Sequence, residues 1–600
     1  MLGSMILIIG TALVKVIGAL FKIPLANWVG GTAMGYFSGA YALYMPIYSL
    51  ATAGLPIAIS RIVAERVAQK RYADVFRTLK VAQRTFLAVG AVGTLVLIGV
   101  VWFYINFIGS PDMLLSMICI IPALLFCCIM SSYRGFYEGL RNMYPTSVSS
   151  VIEALGKLIL GLGMAYAVIA RAKAEFAASG TVFGKLVELP ANLAPDKLEA
   201  ATDAIIKDLA APYASAVAIL GITIGSVIAT VYLIIYHKLG GAKITKEEIA
   251  ASPEPIGTRE TLKKIVRIAV PVVIASLVIS VSSMIDLFTV QGRLQATVNA
   301  DAETILTMYD GLLPASILGE NMAEDIAVYL YGCFTGYGFS IYNLVPSITC
   351  MFGVSALPVL TTVWIEKNQL EIKKNVESMV KVVALISMPA GIGITALAGP
   401  ILRLLYMDAP SEVAIATPML TILGIAAIFT GLTTPMTNML QAIGKQNIPM
   451  RNIAIGAVLK IIVNIVLIGI PSINIVGAAV GTFVCYAYYF FSSFYALNKY
   501  SGAHIDIKNV LLKPLLAAVA CGVGAFATHA LLAHFTDSLK SGGSGFVSRL
   551  IDAGAIETVC AIVVAVIVYV VVLLLIRGIT AEDVMALPKG EKIAKLLKLS

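Results

Sequence analysis

Apolar residues run along this chain in blocks of twenty or so, divided by short polar stretches or by Pro and Gly. A helix rises ~1.5 Å per residue, so about twenty apolar residues cross a ~30 Å hydrocarbon core. The pattern predicts fourteen such helices. Seven lie near 3–26, 33–59, 82–107, 113–135, 145–170, 212–236 and 265–291. The other seven lie near 332–362, 379–400, 413–440, 452–470, 474–497, 508–534 and 553–576. Lysines interrupt the first block and no cleavage pattern follows a short apolar core. A retained helix is therefore expected there, not a signal peptide.

Composition agrees with the pattern. Hydrophobic residues are 59% of the 600 and charged residues 13%, about half the charge of a soluble domain. Most of the outer surface must face something other than water. This excludes disorder, a disulfide scaffold and an ordinary cytosolic enzyme, and indicates an all-α polytopic membrane protein. The eight cysteines fall in or beside apolar stretches and are expected as free thiols. The four histidines do not cluster, so no metal site is expected.

The net charge of +9 does not mark nucleic acid, because of where the basic residues sit. With the N-terminus inside, the inner loops and tail carry 29 of the 43 lysines and arginines, and the outer loops nine. That asymmetry alternates across all fourteen spans and places both termini in the cytoplasm. Arg61, Arg66, Lys70, Arg71, Arg77 and Lys80 form an inner basic run, expected to fix topology and touch anionic lipid. Two outer segments, 172–210 and 293–331, hold twelve acidic residues and are expected to form external insertions on the membrane surface.

The chain also repeats itself. G-Y-F-S-G-A-Y-A-L-Y-M-P (35–46) corresponds to Y-G-F-S-I-Y-N-L-V-P (337–346), and G-L-R-N-M-Y-P (139–145) to I-G-K-Q-N-I-P (443–449). An offset of about 300 residues equals six spans and preserves orientation, giving parallel repeats of the kind found in rocking, alternating-access transporters. The expected organisation is an N-lobe at 1–236 (helices 1–6, with the 172–210 insertion), then a cytoplasmic linker at 237–264. A C-lobe at 265–499 (helices 7–12, with the 293–331 insertion) precedes 500–600, which holds two extra helices and a cytoplasmic tail.

Charges inside spans are costly, ~2.5–3.5 kcal/mol even on the lenient insertion scale, and normally face a cavity or a partner. Lys15 and Lys22 lie seven residues apart on the first span, hence on one face. Asp286 and Arg293 share that spacing on the seventh span. These four are the candidate substrate-binding residues, an anionic-headgroup site of cations with a counter-charge; snorkelling also accounts for Lys22 and Arg293. Arg134–Glu138 and Glu153–Lys157 are i,i+4 pairs, expected to neutralise one another or line the cavity mouth. Lys460 is the counterpart of Lys157 in the second repeat. Prolines 24, 46, 56, 271, 346, 358, 389 and 435 interrupt spans and permit kinks.

No phosphate-cradling loop, H-E-x-x-H or G-x-S-x-G occurs. A transporter, not an enzyme, is therefore expected, with no catalytic residue, metal or cofactor and with an ion gradient or membrane potential as the driving force.

Three stretches resemble a known family: S-M-I-L-I-I-G-T-A-L-V-K-V-I-G-A-L-F-K-I-P-L-A-N-W-V-G (4–30), R-G-F-Y-E-G-L-R-N-M-Y-P-T-S-V-S-S-V-I-E (134–153) and M-I-D-L-F-T-V-Q-G-R-L (284–294). They are similar to the stage V sporulation protein B/MurJ-like lipid II flippases of the multidrug/oligosaccharidyl-lipid/polysaccharide (MOP) exporter superfamily. The resemblance implies two six-helix lobes, with the last two helices forming a groove for a lipid tail. It also implies a flippase for undecaprenyl-pyrophosphate-linked peptidoglycan precursor in the bacterial cytoplasmic membrane, with Lys15 in substrate binding. Asp286 and Arg293 fall on the family's charged seventh-span motif, and Arg134, Glu138 and Glu153 on its fourth–fifth block. The MurJ branch's second first-span cation aligns one residue from Lys22, and its carboxylate near Tyr36 is missing here.

The partners implied are lipid II, membrane lipids and cell-wall synthesis proteins. A flippase for another lipid-linked polysaccharide, a drug/cation antiporter and a non-transporting cell-wall or spore assembly scaffold are the alternatives. The antiporter would want an acid-dominated cavity, which Lys15 and Lys22 oppose.

Overall fold

The computed structural model describes residues 2–49, 52, 54–108, 110–187, 195–240, 242, 244–536 and 550–579. They form an almost wholly helical protein. Among them eleven helices are long and apolar enough to cross a membrane; the sequence pattern predicts fourteen, a number this count does not establish. One reason is that the first two expected spans run together into one kinked helix, bent at Gly30.

The chain divides into two compact units. The first comprises residues 1–302 and 313–332. Its helices begin with α1 (Leu2–Ser49), α2 (Leu55–Ala68), α3 (Tyr72–Phe107), α4 (Leu114–Gly139) and α5 (Tyr144–Gly156). They continue with α6 (Leu162–Ser179), α7 (Pro195–Lys238), α8 (Lys246–Ala250) and α9 (Thr258–Ala300). After α10 (Ala302–Met308) the chain returns to this unit with α11 (Met322–Gly332). A two-stranded antiparallel ribbon, β1 (Thr181–Val182) against β2 (Lys185–Leu186), with Thr181 opposite Leu186, follows α6.

Helix α1 contains Pro24 and Pro46, yet its break falls at Gly30, whose φ of 79° and ψ of 179° only glycine adopts freely. The segment after the break packs backbone-to-backbone on α11: a Cβ on Gly332 would lie 1.9 Å from the Gly31 carbonyl oxygen, and one on Gly35 2.3 Å from that of Val328. Pro271 and Pro358 have side chains outside the described residues.

Helices α4 and α7 are joined by hydroxyls. Ser116 and Ser215 share a hydrogen bond of 2.8 Å, Thr223 donates to the Cys119 carbonyl at 2.6 Å, and Thr230 to that of Phe126 at 3.1 Å. In an apolar surround such groups need protein partners, and small polar residues supply close packing as well.

Half of the basic run on α2 and α3 is engaged by the protein itself. Arg66, 3% exposed, donates to the Asp74 carbonyl at 2.9 Å and to Thr261 at 2.8 Å. Arg71 donates to Asp74 at 2.6 Å and to the Glu254 carbonyl at 2.8 Å, and Arg77 to the carbonyls of Pro255 and Ile256. The buried Asp74 carboxylate also accepts the Ile256 N–H at 2.7 Å. Three of the six basic residues thus clamp the segment before α9 onto the α2–α3 turn. Periodicity along one helix does not reveal a partner nearly two hundred residues away.

The second unit comprises residues 303–312 and 333–600. A π-helical turn, Cys333–Gly338, leads into α12 (Phe339–Tyr342) and α13 (Leu344–Ile365). Then come α14 (Gln369–Ala396), α15 (Ala398–Leu405), α16 (Pro410–Ala442), α17 (Asn447–Ile468) and α18 (Val476–Ser501). The last pair is α19 (Lys513–Thr536) and α20 (Ala555–Leu575). Helix α16 is the core of this unit, with Leu432, Met436 and Leu440 buried against Val380, Val383 and Phe490. Helix α19 packs on α14, where a Cβ on Gly522 would reach Ile392, and α20 is tied to α14 by Tyr569 donating to the Leu385 carbonyl at 3.0 Å.

Candidate functional site

The charges that the sequence singles out gather mostly in the first unit, on α1, α4, α5 and α9. Lys15 is exposed and Lys22 half-buried on α1 before the Gly30 break. On α9, Asp286 is half-buried and Arg293 exposed. Asp286 acts on the buried Tyr331 phenol of α11, and neither α9 charge is ion-paired with Lys15 or Lys22.

The expected i,i+4 pairing is replaced by a bond across helices. Arg134 of α4 meets Glu153 of α5 at 3.1 Å, not Glu138, with the two side chains only 14% and 20% exposed. The guanidinium also donates to Ser149 at 2.9 Å, and the second Glu153 oxygen accepts from Ser226 of α7 at 3.3 Å. The network continues through Cys127, whose thiol donates to Ser226 at 3.6 Å and lies 3.3 Å from the Tyr44 hydroxyl. Glu138 remains in the field of Arg134.

Lys157 thereby makes no close ion pair with its expected carboxylate among the described residues. It opens a π-helical turn, Lys157–Gly161, between α5 and α6, a local widening often found at functional positions. Glycines bring this turn against α7: a Cβ on Gly225 would lie 2.7 Å from the Glu153 carbonyl, and one on Gly221 2.4 Å from the Gly161 Cα. The Lys157 ammonium lies 4.5 Å from the centre of the Phe21 ring, 5.6 Å from that of Tyr41 and 5.9 Å from that of Phe37. Lys22 and Glu153 are the charges that act on it. Among the described residues none of Lys15, Lys22 and Lys157 forms an ion pair.

Lys460, its counterpart by repeat, sits in the second unit. Like Lys157 after Tyr144, it comes thirteen residues after the first residue of its helix, Asn447. It is 6% exposed, on a buried stripe of α17 with Asn452, Gly456, Asn464 and Ile468. That i+4 spacing faces α18, where a Cβ on Gly481 would lie 3.4 Å from Lys460 Cγ and 2.1 Å from Asn464 Oδ1.

Two groups went unrecognised in the sequence. The rings around Lys157 belong to a ladder on α1, Phe37–Tyr41–Tyr44–Tyr48, with neighbouring centroids 6.2, 6.2 and 5.2 Å apart; the i+4 and i+3 spacing of aromatics was the available signal. An acidic cluster also forms beyond the Gly30 break. Asp208 accepts from Thr32, and Asp112, Asp208 and Asp325 all act on Tyr36. Burial, followed by Asp208, Asp112 and Glu324, pushes the Asp325 carboxyl up to about 7, with Lys185 opposing.

An open apolar groove of about 440 Å³ lies between α3 and α9, lined by Val96, Phe103, Met284 and Phe288 among others. It carries none of the cations and is a separate feature.

Comparison with known proteins agrees with this architecture. Residues 335–545 match the family described as lipid II flippase MurJ, and residues 2–191 the family described as polysaccharide biosynthesis protein. The lipid II flippase MurJ of Bacillus subtilis (strain 168) is 23% identical over 538 residues, covering 86% of this chain and 86% of its own. Stage V sporulation protein B of the same organism is 22% identical over 80% of this chain and 79% of its own. The solved structure of a lipid II flippase MurJ in an inward closed conformation superposes with a TM-score of 0.57 at 14% identity, covering 94% of this chain and 97% of that one.

Fold and sequence together define a multi-span, all-helical membrane protein with the fold of the solved lipid II flippase MurJ, similar in separate parts to that family and to the polysaccharide biosynthesis proteins. Its sequence is similar to lipid II flippase MurJ and to stage V sporulation protein B along most of its length.

Proposed function

We propose that the protein is a flippase that moves a lipid-linked peptidoglycan precursor, lipid II, from the inner to the outer leaflet of the bacterial cytoplasmic membrane by alternating access. Both termini are cytoplasmic in this reading, and an ion gradient or the membrane potential drives the cycle. The observation that carries it is the pair of cations on one face of a membrane-spanning helix, Lys15 and Lys22, neither ion-paired with a carboxylate among the described residues. Unpaired ammonium groups at membrane depth are costly unless something anionic meets them, and a pyrophosphate-linked glycan does so through charge-assisted hydrogen bonds. The similarity to lipid II flippase MurJ supports the same substrate. Asp286 and Arg293 extend the polar lining, and the prenyl chain stays in lipid or along α19 and α20.

The test is reconstitution of the full chain in liposomes with labelled lipid II and, separately, another undecaprenyl-pyrophosphate-linked glycan. Movement of lipid II supports the assignment. Movement of only the second glycan replaces the substrate, and movement of neither overturns the flippase reading.

A further inference from the structure

We infer that the apolar groove between α3 and α9 seats the polyprenyl chain of a lipid-linked substrate, a tail path on the first unit distinct from α19 and α20. The inference rests on the flippase reading and deepens it, by assigning the hydrocarbon part of the substrate to named residues.

The groove is longer than its α9 side alone indicates. Val96, Gly99, Val100 and Phe103 of α3 face Met284 and Phe288 of α9 around about 440 Å³. A second groove of about 320 Å³ shares Val96 and runs on past Val92, Val89 and Ala88, with Ile47 of α1 beside it. Ala88, Val92, Val96 and Val100 recur every four residues, so the two grooves follow one slanted row of side chains along α3. Among the described residues no polar side chain lines either groove. Each volume falls in the range of about 300–1,000 Å³ that is usual for ligand pockets.

Glycines shape the floor. A Cβ on Gly93 would lie 2.9 Å from Ile47 Cγ2, so this glycine lets α1 and α3 approach; a Cβ on Gly99 would meet nothing within 4 Å, so the space beside it stays open. The Phe103 and Phe288 rings, with centroids 6.3 Å apart, wall one end. Met284, unbranched and flexible, fits itself to an irregular chain.

Position identifies the occupant. The groove lies on a membrane-spanning helix, Tyr72–Phe107, so hydrocarbon covers it and not a soluble partner. Ala88 to Phe103 is a rise of fifteen residues, ~22 Å along the helix, against ~15 Å for one leaflet of a ~30 Å core. Exposed Arg84 precedes the groove and Trp102, 64% exposed, marks its other end, residue types that favour the membrane borders. The groove therefore passes the bilayer midplane, where the chains of a phospholipid end. A polyprenyl chain is longer than one leaflet, and a seat through the midplane holds it while the headgroup changes sides.

The experiment uses the full chain in nanodiscs of phosphatidylcholine. Two photoreactive probes are cross-linked: undecaprenyl pyrophosphate with a diazirine on its chain, and phosphatidylcholine with a diazirine on an acyl chain. Labelled peptides are mapped by mass spectrometry. The prenyl probe is expected to label residues 88–103 and Met284, and to be displaced by unlabelled undecaprenyl pyrophosphate but not by added phosphatidylglycerol. G99W fills the open part of the groove, and G163W is its control on α6, where Gly163 also has nothing within 4 Å. By native mass spectrometry G99W should bind undecaprenyl pyrophosphate about tenfold more weakly, the loss of about two buried methylenes, and G163W close to wild type. The wild-type cross-links decide the matter if G99W does not fold. Groove labelling by the acyl probe that the prenyl ligand does not displace makes this ordinary bilayer contact and overturns the inference. Prenyl labelling confined to α19 and α20, or wild-type binding by G99W, overturns it too. Lipid II translocation by the wild type is scored separately, so the seat can fail while the flippase reading stands.

Discussion

Arg134 and Glu153 bind each other across α4 and α5 at 3.1 Å, although each has an oppositely charged residue four positions away on its own helix. The cross-helix choice lets Ser149 and Ser226 satisfy the remaining lone pairs and donors, which a bond along one helix surface would leave to the bilayer. Removing one partner of such a half-buried pair strands a charge and costs about 3–5 kcal/mol, whereas replacing both with apolar residues is often close to neutral. E153Q and R134M are each expected to lower the melting temperature of the purified protein, and the R134M/E153M double substitution to recover most of the loss. Additive single effects, measured as a double-mutant cycle by differential scanning fluorimetry, would sink the coupling.

The glycine contacts that seat the Lys157 turn on α7 give a steric prediction. A methyl on Gly221 would fall 2.4 Å from the Gly161 Cα, and backbone cannot yield as a side-chain tip does, while Gly163 has nothing within 4 Å. G221A should cost at least about 1–3 kcal/mol, the range for overpacking, whereas G163A should be neutral or slightly stabilising. The yield of monodisperse protein and the melting temperature separate the two.

The sequence carried the helical pattern, the polytopic class and the cations on α1, because apolar blocks and charges out of place are local signals. Partner choice was not local. Lys157 reads as half of a helix-surface pair with Glu153 until α4 brings Arg134 alongside. Nothing local shows that Arg66, Arg71 and Arg77 also hold residues 254–261, which fold back onto them. The gap between the first two expected spans holds the α1 break, where Gly30 supplies a backbone angle that other residues rarely adopt. The Asp112, Asp208 and Asp325 cluster escaped altogether, since its members come from three separate elements.

That cluster predicts a pH dependence. Burial first, then Asp208, Asp112 and Glu324, raise the Asp325 carboxyl from 3.8 to about 7. Between those values the folded chain holds a proton that the unfolded chain has released. The contribution of Asp325 to stability is therefore fully present below 3.8 and is lost as pH rises through about 7. D325N should flatten this part of the profile. Melting temperatures from about pH 5 to about pH 8 that fall no more steeply for wild type than for D325N would contradict it.

In the second unit, Asn464 is fully buried on α17, and neither its amide nitrogen nor its oxygen has a hydrogen-bond partner among the described residues. Leucine has the same branching, so N464L should stabilise the fold by about 1–3 kcal/mol, the cost of leaving a buried polar group unsatisfied. A higher melting temperature with normal transport marks Asn464 as a structural relic; a higher melting temperature with lost transport marks it as part of the transport machinery. A lower melting temperature would contradict the packing described between α17 and α18.

The central claim is that positive charge on α1 meets an anionic lipid-linked substrate. Its most direct test is the initial rate at which labelled lipid II crosses liposomes containing wild type, K15R/K22R or K15E/K22E at matched protein density. The account predicts transport by the first two and a fall of at least about tenfold in the third, since each lost charge-assisted contact is worth ~1.5–3 kcal/mol. Unchanged transport by K15E/K22E would contradict it.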